Sequence, residues 1–107
     1  MPGETPFLIV QTTLPDESSA RRLLQTVLQA RLAACGHLHK IASHYWWEGR
    51  LTEGEEWMVS LKTHETAWHR LEKAIADAHP YETPMIVALP IEAINGPYAE
   101  WLRKETV

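Results

Sequence analysis

The chain reads as an α+β domain: a ferredoxin-like βαββαβ sandwich with an additional C-terminal helix and a long hairpin between the second and third strands. Three observations predict it. Short apolar runs rich in β-branched residues stand at residues 7–13 and 85–91. Two stretches with apolar residues at helical spacing alternate with the extended runs. Two further extended runs sit in the middle around a polar, glycine-containing link, the pattern of a hairpin. Two split βαβ units with right-handed crossovers then give a four-stranded antiparallel sheet with two helices on one face.

Taken in order, residues 7–13 suit a strand buried on both faces, and "LPDE" breaks it. Pro15 and Asp16 are a helix-start signal, with Asp16 able to accept from the first free N–H groups. Leu23, Leu24, Val27, Leu28, Leu32 and Cys35 keep helical spacing, and Gly36 reads as the stop. Arg31 falls inside that stripe, either snorkelling or placed as a favourable charge at the helix end. An extended region covers residues 37–47, the link is "EGRLTEG", and the partner strand covers residues 55–62. In that strand Trp57, Val59 and Leu61 share one face, and Met58, Ser60 and Lys62 the other. A second helix spans about residues 65–78 on the stripe Trp68, Leu71, Ile75 and Ala78, capped by Thr63 or His64. "HPYETP" ends it. The run 85–91 is the last strand, buried, ending around Pro90, and Asn95-Gly96-Pro97 opens a short helix carrying Tyr98, Trp101 and Leu102. The chain is one domain, residues 1–107, with its core about 7–104.

Composition narrows the function classes. Of the 107 residues 45% are hydrophobic and 22% charged, which sets the chain apart from disordered sequences. A net charge of −4 disfavours nucleic acid as a partner. One cysteine, Cys35, precludes an intramolecular disulfide and fits a reducing compartment. The N-terminus lacks a basic region, its apolar run is too short for a secretion signal, and no run approaches a membrane span. The expectation is a cytoplasmic protein with no membrane partner.

The hairpin carries the most informative stretch, "SHYWWEGRL", residues 43–51. Neighbours on a strand face opposite ways, so Trp46 and Trp47 cannot share one core. Leaving a large side chain in water forgoes about 1.5–3 kcal/mol, and a contiguous apolar patch usually marks an interface.

The phrases "QTTLPDESSA", "ARLAACGH", "SHYWWEGRL", "EEWMVSLKT", "HPYETP" and "YAEWLRKE" stand in order along residues 11–105. Together they resemble the CutA family of divalent-cation tolerance proteins, from about Phe7 to Lys104. The resemblance implies a ferredoxin-like subunit in a compact homotrimer, similar in architecture to the PII signalling proteins, with long hairpins reaching across neighbours. It implies that Trp47 packs on its own chain or at a subunit cleft and that Trp46 is covered by the next subunit. A closed ring also removes sheet edges. The family's proposed copper site uses a cysteine at the end of the first strand and two adjacent histidines before Pro-Tyr. Here those positions hold Gln11, Ala78 and His79. Losing a thiolate and an imidazole removes most of the copper preference, leaving His79 and Glu82 as the metal candidates. Trp46, Trp47, Glu48, Glu56, Lys62 and Tyr81 fall in the family's motifs near the implied cleft, as ligand contacts or an intersubunit ion-pair network. The family carries a glutamate after the loop's second proline, where this chain has Met85.

Outside the resemblance, His37 and His39 share a strand face and form a usable but incomplete cation pair, with His44 on the other face. Cys35 reads as an inert buried thiol. "QTTLPD" lacks the glycines of a phosphate-cradling acylphosphatase loop, and "EEWMVSLK" lacks the basic, aromatic pattern of an RNA-recognition strand. No Ser/His/Asp or Cys/His arrangement is discernible. The function expected is therefore a non-enzymatic binding or sensor-like trimer linked to divalent-cation tolerance, needing no cofactor and binding Cu(II) or another divalent cation weakly. The alternatives are a PII-like binder of a small anionic ligand and a structural or partner-binding trimer without ligand.

Overall fold

In the computed structural model, which describes residues 5–106, strand β1 (Phe7–Leu14) lies inside a sheet of order β2-β3-β1-β4 with every neighbouring pair antiparallel. Residues 1–4 and 107, the ends of the expected 1–107 domain, lie outside the described residues. The other elements are α1 (Glu17–Gln29), β2 (Cys35–Trp47), β3 (Arg50–His64), a 3-10 turn (Glu65–Ala67), α2 (Trp68–Ala78), β4 (Val87–Pro90) and α3 (Gly96–Glu105). This is the ferredoxin-like βαββαβ order with a third helix appended.

Alternation along the strands decides which face becomes core. Val10 pairs with Leu61, Thr12 with Val59 and Leu14 with Trp57, which puts all six side chains on one face. Against them pack Ala20, Leu23 and Val27 of α1 and Leu71 and Ile75 of α2. Asp16 caps α1 as its sequence suggests, its carboxylate accepting from the Ser19 N–H at 2.7 Å. His64 caps the second helical segment, its Nδ1 accepting from the Thr66 N–H.

Three expectations are corrected. First, α1 ends at Gln29 rather than running to Cys35. Arg31 takes the left-handed conformation (φ 57), its N–H bonds the Leu28 carbonyl, and the Leu32 N–H bonds that of Val27. That is a Schellman motif with arginine at the position glycine usually holds. The Arg31 guanidinium meets Glu105 of α3 at 2.7 Å. By Ala34 the chain already bonds β3, through the Lys62 carbonyl.

Gly36 therefore stops no helix. It lies in β2, facing α1, where a Cβ would fall 2.2 Å from Leu24 Cδ1 and 2.9 Å from Leu61 Cδ2. The absent side chain lets helix and strand close on each other. Cys35, expected in the helix stripe, instead starts β2 opposite Lys62.

Second, the hairpin link is two residues, not seven. Trp47 pairs with Arg50, and Glu48 (φ 50) and Gly49 (φ 77) form the turn, both left-handed as a type I′ turn requires. Residues 50–54 belong to β3, making a hairpin of 13- and 15-residue strands that gives the molecule its 45 Å long axis. Third, β4 is only Val87–Pro90, and each of its residues is exposed. It is an edge strand, and Val87 and Leu89 pair with Gln11 and Ile9 on the face away from α1 and α2. The two crossover helices share one face as expected, and the appended α3 lies on the other. Tyr98 of α3 lies beside Cys35, and the Arg103 guanidinium sits 5.3 Å over the Phe7 ring. Both Cys35 and Phe7 alternate onto the second face, so α3 covers one end of it and leaves the hairpin end open.

A cleft between the hairpin and the loop after α2

The open end of the second face holds a cleft. Ile41, Ser43, Tyr45 and Trp47 alternate along β2 onto this face, and Glu56 and Met58 join them from β3, opposite Ile41 and His39. Thr13 of β1 pairs with Met58. The facing wall is the loop after α2, with Pro80, Tyr81, Glu82, Thr83 and Met85. The cleft, open on one side, has a volume of about 780 Å³, within the range of small-molecule sites.

His79 fixes the loop. The Tyr81 N–H donates to its Nδ1 at 3.1 Å, so the ring proton sits on Nε2. That proton points at the Thr13 carbonyl (2.9 Å) and the buried Thr12 hydroxyl oxygen (3.1 Å). Burial lowers the His79 pKa from its usual 6.5, against the opposing pull of the Thr13 carbonyl and of Glu56. Tyr81 follows, its ring 5.0 Å from the imidazole, and its hydroxyl donates to Glu56 Oε2 at 2.8 Å. Burial first, and then this bond, push the phenol well above its ordinary range, so it stays a neutral donor. Loop, β1 and β3 are thus tied by one chain of bonds.

Of the sequence candidates, Trp47, Glu56, Tyr81 and Glu82 meet at this cleft, with His79 behind them. The others stand elsewhere. Trp46 faces the opposite way, paired with Leu51, and the two are 73% and 67% exposed. Glu48 is at the tip of the turn. Lys62 shares the face of Glu56 but lies six residues along β3, about 20 Å away, opposite Cys35 and Ile9. Within one chain Lys62 is thus apart from Glu56 and Tyr81, and the expectation that it joins them concerned a cleft between subunits. Tyr45, Ile41, Met58 and Met85 were not singled out as site residues. Counting in twos from Trp47 would have found Tyr45 and Ile41, because every second residue of β2 faces the same way.

The residues at the family's copper positions do not fit a copper site. His79 has no lone pair to offer unless it gives up the Tyr81 N–H. The Gln11 amide bonds Ser60 Oγ at 3.2 Å, and Ala78 has no donor. His44 pairs with Glu53 at 3.3 Å, on the face opposite His37 and His39. Among the described residues, no group of three or more His, Cys, Asp or Glu side chains is placed to hold a metal ion.

The sequence profile of the CutA1 divalent ion tolerance protein matches residues 8–105. The divalent-cation tolerance protein CutA of Pyrococcus horikoshii is 40% identical over 100 residues, covering 94% of this chain and 98% of its own. That of Thermotoga maritima is 35% identical, covering 94% and 100%. The crystal structure of CutA1 from Oryza sativa superposes with a TM-score of 0.92 at 34% identity, covering 96% of this chain and 95% of its own. The match runs through both walls of the cleft and the whole hairpin, and on it the chain belongs to the CutA1 divalent ion tolerance protein family.

Proposed function

We propose that this chain acts in divalent-cation tolerance as a non-enzymatic binding or sensor-like protein, assembled as a homotrimer through its hairpin tips. One observation carries the assembly: Trp46, Trp47 and Leu51 at the tip are 73%, 53% and 67% exposed. So much adjacent apolar surface calls for a cover, and the described residues of the chain supply none. The exposed edge strand β4, with Val87 and Leu89, is a second surface that a closed ring would protect. The tolerance role is carried over from the relatives, which are divalent-cation tolerance proteins. The cleft supports binding rather than catalysis, because its Tyr81 hydroxyl is already committed to Glu56. We place the protein in the cytoplasm, where its single thiol stays reduced.

Light scattering tests the assembly: three times the 12.2 kDa chain mass is expected, and a clean monomer at micromolar concentration overturns it. Calorimetry tests the ligand. Cu(II) and Zn(II) should bind weakly and competably, and His79→Ala should change this no more than His39→Ala does. Tight stoichiometric binding abolished by His79→Ala alone would restore the family's metal site. The anionic alternative is the less favoured, because no Lys or Arg lines the cleft. Heat with a nucleotide and none with metal would revive it.

A further inference from the structure

We propose that the cleft between the hairpin and the loop after α2 is a site for a small organic cation: a protonated amine or guanidinium on a compact apolar body. The inference rests on the lining of the cleft in one chain; Trp47 belongs both to that lining and to the surface proposed to be covered in the trimer, so the test is run on the assembled protein.

Shape and lining come first. A volume of about 780 Å³ accepts a ligand of small-molecule size. Its walls are mostly apolar: Tyr45, Trp47 and Tyr81 supply aromatic surface, and Ile41, Met58 and Met85 fill between them. Aromatic rings attract cations through their quadrupole, Trp most strongly, and thioethers adapt to ligands of varied outline.

Charge then chooses the sign. Glu56 and Glu82 both line the cleft, no lysine or arginine does, and His44 of the lining is turned to Glu53 at 3.3 Å. Among the described residues Glu56 has one hydrogen bond, from the Tyr81 hydroxyl to Oε2, which leaves Oε1 to accept from a ligand. Glu82 makes no ion pair among the described residues. The cation Lys62 is about 20 Å from Glu56 along β3. Desolvating an anion here would set it against two carboxylates with no partner, whereas an ammonium meets a carboxylate acceptor and aromatic walls at once. A bare metal ion gains little, since the acceptors are few and the walls are soft carbon. An amine with an apolar body uses both the carboxylates and the aromatic and thioether walls.

The test holds the body constant and changes the charge. Benzylamine (protonated at neutral pH), benzyl alcohol and benzoate share a ring and differ in sign. Two of the chain's three methionines, Met58 and Met85, line the cleft, so methyl NMR on methionine-labelled full-length protein reads occupancy at the site itself. Both methyl signals should shift saturably with benzylamine, which should bind about tenfold more tightly than the alcohol, with benzoate weakest. Glu56→Gln with Glu82→Gln removes the charge while leaving an acceptor for the Tyr81 hydroxyl. It should bring benzylamine to the affinity of the alcohol. Equal affinity of the three ligands in the wild type, benzoate binding tightest, or an undiminished preference in the double variant would overturn the proposal. If that variant does not fold, the ranking in the wild type decides alone. Trimer mass by light scattering is a separate readout, so loss of assembly is not mistaken for loss of this site.

Discussion

The two ends of the β2–β3 hairpin are made of similar residues and meet opposite fates. At the root Val59, Leu61 and Thr63 are fully buried beneath the helices. At the tip Trp46 and Leu51, on the same face, lie in solvent. Both ends alternate correctly and both pair in register, so neither propensity nor pairing separates them. What differs is cover: α1 and α2 end their reach before the tip. The same apolar character that drives folding at the root is therefore left over at the tip for association, and each end should answer differently to mutation.

The largest expected effect is at the tip. Under the proposed trimer, Trp46→Ala should cost about 3–5 kcal/mol per subunit, lower the assembled mass, and abolish any rise of melting temperature with protein concentration. Leu61→Ala at the root should cost about 2–5 kcal/mol, with the concentration dependence retained. A Trp46→Ala melting temperature within a degree of wild type would place the indole in solvent and erase the functional difference between the two ends.

Gly36 sharpens the account of the root. Gly36→Ala would drive its methyl into Leu24 and Leu61, and overpacking of this kind costs about 1–3 kcal/mol. Leu24→Ala in the same chain should recover part of that loss by making room. A Gly36→Ala protein as stable as wild type would show that α1 can shift, and that the root is looser than its burial implies.

Much of this arrangement was legible in the sequence. Element order, the Asp16 cap, a second cap at Thr63 or His64 (it is His64) and the proline-opened α3 all follow from local chemistry that survives into the fold. The end of α1 was not legible, because its left-handed turn is built on Arg31 and because Leu32 and Cys35 happen to keep helical spacing beyond it. The exposure of β4 was hidden since an apolar run looks alike at a core and at an uncovered edge. Lys62 shows the limit of motif matching: it shares a face with Glu56, but a family phrase says nothing of distance along the strand within one chain. The cleft brings three strands against a loop that follows a whole helix, a proximity no spacing rule encodes.

His79 joins the cleft to the root, and its titration gives a pH test. Its folded pKa lies below the usual 6.5 because burial disfavours the imidazolium. The unfolded chain therefore binds more protons in the window below 6.5, and stability should fall as pH drops through it. His79→Asn keeps an acceptor for the Tyr81 N–H but removes the donor to the Thr13 carbonyl. It should cost about 1 kcal/mol at pH 8 and flatten the slope of melting temperature between pH 7 and pH 5 relative to wild type. An unchanged slope would assign the acid sensitivity to other groups.

The smallest effect is the most discriminating for the tip. Glu48 occupies the first left-handed position of the type I′ turn, where Asn is preferred and an acidic, longer side chain adds strain. In a chain whose tip is held only by its own turn, Glu48→Asn relieves that strain and should stabilise by about 0.5 kcal/mol, a rise of about 2–4 °C in melting temperature, independent of protein concentration. The outcome reverses if the carboxylate meets a cation on a neighbouring subunit. The variant would then melt lower than wild type, and the deficit would grow on dilution, because the lost contact belongs to the assembled state. One exposed residue with no partner among the described residues of its own chain thus reports whether the tip ends in water or in another copy of itself.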